Sequence, residues 1–102
     1  MGTLTTLGAA SDVPAGKGKA FDAGEQRIAV FQVNGQYWAL DDKCPHAGAS
    51  LAEGYLDGNK VGCPWHYAEF DLATGKHISA PANCAVRSYP VVVEDGQLKV
   101  QL

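Results

Sequence analysis

Apolar and polar positions alternate over short stretches of this chain and are cut at close intervals by turn dipeptides, a pattern of hairpins and not of helices. The clearest stretch covers residues 27–33 (RIAVFQV), breaks at Asn34-Gly35 and resumes over residues 36–40 (QYWAL), both halves rich in β-branched and aromatic side chains. Similar turn signals stand at Asp57-Gly58-Asn59, Thr74-Gly75 and Asp95-Gly96. The last one predicts a closing hairpin from residues 86–93 to residues 97–102, with Val91, Val92, Val93, Leu98, Val100 and Leu102 half buried. No window keeps its apolar residues on a 3.6-residue period over three turns, and the 12 glycines and 5 prolines are scattered where they would interrupt helices. The expected fold class is therefore all-β. Phe31, Tyr37 and Trp38 fall on predicted strands, where packing in the core or on the sheet surface is their expected role.

Two segments, 41–52 and 62–72, read as loops joined by the short hairpin around Asp57-Gly58-Asn59. They contain the residues with metal-binding chemistry. The first carries Cys44-Pro45-His46-Ala47-Gly48 and the second Cys63-Pro64-Trp65-His66, with 16 residues between His46 and Cys63. Ligands two or three positions apart span at most roughly 7 to 11 Å even in extended chain, so each loop can offer one thiolate and one imidazole to neighbouring atoms of one centre. The hairpin then brings the two loops face to face. A proline after each cysteine removes a backbone donor and restricts the chain, and Gly48 permits a tight backbone.

Composition narrows the picture. A chain of 102 residues, 46% hydrophobic and 19% charged, is expected to form one domain over 1–102 with a modest core, which a metal centre tying loops together would reinforce. A net charge of -3 with no basic run lacks the electrostatic footprint of a nucleic-acid binder. The first ten residues lack the charged and apolar regions of a signal peptide, and no stretch approaches the roughly 18 apolar residues of a membrane span. The expectation is a soluble, cytoplasmic monomer with no membrane partner. Three cysteines, two of them beside histidines, suit metal binding in a reducing compartment better than a disulfide framework.

Beyond the ligand loops, Ser50-Leu51, Gly54, Phe70-Asp71, Thr74-Gly75, Ala80-Pro81, Tyr89-Pro90-Val91 and Asp95-Gly96 follow the same order as in one known family. With its Cys-x-His and Cys-x2-His arms, the chain resembles the Rieske-type [2Fe-2S] ferredoxins of bacteria from Asn34 onward, and only weakly over the first twenty-five residues. The resemblance implies a Rieske-like fold of small antiparallel sheets with a cluster-binding part made of two loops. It implies one [2Fe-2S] cluster, with Cys44 and Cys63 on one iron and His46 and His66 on the other. Two ferric ions, two sulfides, two thiolates and two neutral imidazoles sum to no net charge, whereas four thiolates would leave the oxidised cluster doubly negative. Adding an electron is therefore easier, and the potential is higher. The family also implies a carrier that is not itself an enzyme, taking single electrons from a flavin-containing reductase to a terminal oxygenase or other metalloenzyme.

Three other readings use the same residues. A catalytic oxygenase needs a further iron held by two His and a carboxylate, but His77 alone remains once His46 and His66 are used. The small subunit of an assimilatory nitrite reductase shares the fold and length. A zinc-stapled interaction module also uses two Cys and two His, though common zinc modules pair like with like in each arm. A membrane-anchored respiratory Rieske subunit is set aside because Ala49 and Trp65 stand where each loop of that branch adds a cysteine.

The remaining candidates have plainer roles. Cys84 is expected to be a small buried apolar group, and His77 an exposed strand residue. Trp65 and Tyr67 flank His66, where they either shield the centre or fill space. Asp71, Glu94 and Asp95 read as solvated turn charges, as do Asp41 and Asp42, which are also placed to orient a basic partner.

Overall fold

The computed structural model describes residues 4–24, 26–43, 50–62, 69–76 and 86–101. The described residues contain ten strands and two single 3-10 turns, in accord with the all-β expectation. Strands β2 (Gly18–Ala23), β3 (Gln26–Val33), β4 (Gln36–Asp41) and β8 (Ser88–Tyr89) form a four-stranded antiparallel sheet in that order. On one side lies a sheet of β1 (Leu4–Ala9), β10 (Gln97–Gln101) and β9 (Val91–Glu94), in the order β1-β10-β9. A third sheet comprises β5 (Tyr55–Asp57), β6 (Lys60–Gly62) and β7 (Glu69–Asp71).

The middle sheet is buried on both faces, which is why β3 reads as an almost unbroken apolar run. Ile28 and Val30 face one cluster with Phe21, Ala39, Leu98 and Val100, while Ala29 and Phe31 face a second with Leu40, Leu51, Val61, Phe70 and Leu72. Leu51, Val61 and Phe70 of the second cluster flank the Cys44/His46 and Cys63/His66 segments in sequence. No helix among the described residues is long and apolar enough to cross a membrane.

Turn chemistry sets the register of the hairpins. Asn34 and Gly35 (φ 54 and 77) and Asp95 and Gly96 (φ 51 and 75) both occupy the left-handed region, as a two-residue type I′ turn requires. Thr74-Gly75 behaves differently from the expected strand-to-strand turn. The Asp71 carboxylate accepts from the backbone N–H of Ala73 (2.8 Å) and Thr74 (3.2 Å), and the chain closes on itself through Asp71 N–H to Lys76 O at 2.9 Å. Asp71 is thus a turn cap and not merely a solvated charge.

The span 86–93 is two strands, not one. β8 pairs with β4, and after Pro90 the chain crosses to the other sheet as β9. Proline has no N–H for a continued ladder with β4, while its carbonyl accepts from Gln101 N–H at 3.1 Å. In the closing hairpin Leu98 and Val100 are buried as expected, but Val92 and Val93 on the edge strand are exposed. Leu102 lies outside the described residues. The loops are also shorter than the sequence suggests: β7 occupies part of 62–72, and a 3-10 turn at Leu51–Glu53 occupies the end of 41–52.

Candidate metal centre

Cys44, His46, Cys63, His66, Trp65 and Tyr67 lie outside the described residues, as do Ala68, His77, Ala80, Pro81 and Cys84. What the structure describes is the frame on either side of them. The chain enters the Cys44/His46 segment at Lys43 and leaves it at Ser50, and an antiparallel bridge joins these two residues. The chain enters the Cys63/His66 segment at Gly62 and leaves it at Glu69, and these two residues pair as the last rung between β6 and β7.

The two bases are pressed together. A side-chain carbon on Gly54 would collide with the Gly62 carbonyl, so the chain leaving the first loop runs directly against the strand entering the second. Glycine is what permits that approach. Leu51, just after the first loop, and Val61 and Phe70, on either side of the second, share one fully buried apolar cluster. The roots of the Cys44/His46 and Cys63/His66 arms are therefore neighbours on one rigid floor. Among the described residues no group of three or more His, Cys, Asp or Glu side chains is placed to hold a metal ion. Two thiols and two imidazoles on two loops with adjoining roots suit a centre that takes one soft and one imidazole arm from each loop, which is the donor set of a Rieske cluster.

Two aspartates that the sequence suggests are solvated turn out to be fasteners. Asp42 is 2% exposed and accepts hydrogen bonds from Ser50 Oγ (2.7 Å) and Ala52 N–H (2.9 Å), with Arg27 Nε 3.4 Å from its other oxygen. Asp41 accepts from Tyr89 Oη (2.6 Å) and Arg87 N–H (3.2 Å). Their partners lie from 8 to 48 positions away along the chain, and sequence order does not place them together. The only local hint was their position between an apolar run and a cysteine.

Burial, followed by the hydrogen bond to Asp41 and that carboxylate's charge, pushes the Tyr89 phenol up to about 12. A phenol raised from its ordinary value near 10 contributes stability that is fully present below about 10 and is lost as the pH climbs through about 12. Wild type should accordingly lose stability more steeply than Tyr89→Phe between those pH values, measured by denaturant midpoints. Parallel curves would count against this coupling.

The Rieske [2Fe-2S] domain model matches residues 3–90, and this chain belongs to that family. The 3-phenylpropionate/cinnamic acid dioxygenase ferredoxin subunit of Escherichia coli K12 is 43% identical over 93 residues, covering 90% of this chain and 87% of that protein. A ferredoxin from Sphingomonas yanoikuyae B1 superposes with a TM-score of 0.90 at 32% identity, covering 98% of this chain and 99% of that one. A chain from the complex of reduced oxygenase and oxidized ferredoxin in carbazole 1,9a-dioxygenase superposes with a TM-score of 0.87 at 34% identity, covering 96% and 92%. The cofactor is thus a Rieske [2Fe-2S] cluster, and the chain is an electron-transfer ferredoxin and not a catalyst. The family match begins at residue 3, so it takes in the first twenty-five residues, where the resemblance in sequence is weak.

Proposed function

We propose that this chain shuttles single electrons from a flavin-containing reductase to the terminal oxygenase of a dioxygenase system that acts on an aromatic compound. The observation that carries this reading is the 43% identity, over nearly the whole chain, to a dioxygenase ferredoxin subunit. Cys44 and Cys63 hold one iron and His46 and His66 the other, in a single domain over 1–102 acting as a monomer in the cytoplasm. The cluster supplies a site that accepts and releases one electron. The chain supplies two ligand-bearing segments whose flanks are closed by paired backbone over a shared apolar cluster.

Reconstitution tests the reading. The purified ferredoxin, mixed with an NADH-dependent flavin reductase and an aromatic-ring dioxygenase, should support hydroxylation that stops when the ferredoxin is left out. Stable co-purification with a large sirohaem-containing subunit, and no transfer to any such oxygenase, would instead favour the nitrite reductase reading.

The docking surface is expected at the loop end, where electrons enter and leave. Lys43 is exposed beside the first loop, whereas Asp41 and Asp42 are engaged inside the protein and drop out of the set of steering charges. Lys43→Glu should change electron transfer to the oxygenase by up to about tenfold at low salt, and the difference should shrink as salt rises. Charge reversal at Glu94 or Asp95, in the sheet remote in sequence from both loops, should do less. Equal effects at both places would argue against docking at the loop end.

A further inference from the structure

A carboxylate is held inside a protein only where other groups replace the water it gives up. Asp42 has that replacement in full, and its partners share a pattern. Ser50 Oγ and Ala52 N–H both donate to Oδ1, and Leu51 N–H donates to the Asp42 carbonyl at 2.7 Å. Three consecutive residues at the exit of loop 44–49 are thus bound to one residue at its entry. Asp42 is itself bound to β3, through its own N–H to Arg27 O at 2.9 Å and through the Arg27 guanidinium. The neighbouring Asp41 fixes β4 to residues 87–89 in the same manner. The loop therefore has no freedom to splay at its base without stranding a buried charge.

We propose that Asp42 is a positioning residue for the cluster: by binding the exit of loop 44–49 to its entry, the buried carboxylate fixes where Cys44 and His46 are presented. The inference rests on the ligand assignment proposed above. Asp42 acts through the segment that carries two of the ligands, whose ends it joins.

The test uses full-length holoprotein with Asp42→Asn, which keeps an acceptor but removes the charge opposite Arg27, and Ser50→Ala, which removes one bond and no charge. Leu98→Ala, in the apolar cluster on the other side of the middle sheet, serves as a control that weakens the fold without touching the loop. Iron release to a chelator should quicken about tenfold in Asp42→Asn, the factor that losing one hydrogen bond to a charged group amounts to. The g-anisotropy of the reduced EPR spectrum and the midpoint potential should shift in both loop variants and stay at wild-type values in Leu98→Ala. Asp42→Asn that keeps its β-sheet circular dichroism yet retains no iron, beside an iron-loaded Leu98→Ala, supports the same conclusion. If Asp42→Asn does not fold, Ser50→Ala decides. Wild-type spectra and potential in the loop variants, or shifts no larger than those of Leu98→Ala, would overturn the proposal. Cys44→Ala separates the two levels of the argument: a cluster retained there defeats the ligand assignment, whereas a cluster lost there beside unchanged loop variants defeats the positioning role alone.

Discussion

Replacing His66 with alanine should abolish the cluster, whereas replacing His77 with alanine should leave the visible and EPR spectra intact. The chain has three histidines and three cysteines, and a mixed cluster needs two of each. His66 lies in sequence between Gly62 and Glu69, which pair with each other, and Gly62 is packed against Gly54 after the Cys44/His46 segment. His77 follows Lys76 at the end of a turn closed by Asp71, a separate device from either loop. With His46 and His66 on one iron, as proposed, removing an imidazole would leave that iron with a single protein ligand. Iron analysis and the visible spectrum of the two purified variants check this. A full complement of iron in His66→Ala, or its loss in His77→Ala, would require a different ligand set.

The reduction potential is expected near the bottom of the roughly -150 to +300 mV Rieske range. Donors to cluster sulfur stabilise the more negative reduced state and raise the potential. High-potential members of the family place a serine two positions after the second ligand histidine and a tyrosine two further on. Here those positions are Ala68 and Phe70, which have no donor. Phe70 is fully buried against Phe31, Leu40, Leu51 and Leu72, so the site has the packing volume of tyrosine without the hydroxyl. If each charge-assisted bond is worth about 1.5 to 3 kcal/mol of differential stabilisation, its absence lowers a one-electron potential by roughly 65 to 130 mV. Ala68→Ser with Phe70→Tyr should therefore raise the midpoint measurably in protein-film voltammetry. A tyrosine hydroxyl buried in that apolar cluster must find sulfur or lose stability, so the double variant should either gain potential or melt earlier. A wild-type midpoint above about +150 mV at neutral pH would contradict the account.

The parts of the fold legible in the sequence are those fixed by neighbouring residues. Asn34-Gly35 and Asp95-Gly96 specify their hairpins because few other residues tolerate a positive φ, and the ligand arms are legible because Cys-x-His and Cys-x2-His are local spacings. Long-range contacts supply the rest. Strand β1 has only weak alternation and becomes a strand by pairing with β10 at the far end of the chain, in the register of Thr5 with Val100. Strand β2 likewise depends on its partner β3, with Phe21 buried opposite Ile28. Pro90 was visible, but that it moves the chain from one sheet to another follows from where β4 and β10 lie. Asp41 and Asp42 show the same limit in chemical form. Residue type argued for solvent, and their partners Tyr89 and Arg27 are brought to them only by the folded sheet.

Metal analysis combined with EPR of the dithionite-reduced protein tests the central claim most directly. The purified chain should be brown, contain about two irons and no zinc, and on reduction give the low average g of a cluster with mixed histidine and cysteine ligation. One zinc and no iron in natively expressed protein, or a reduced signal with the higher average g of an all-cysteine cluster, would contradict it.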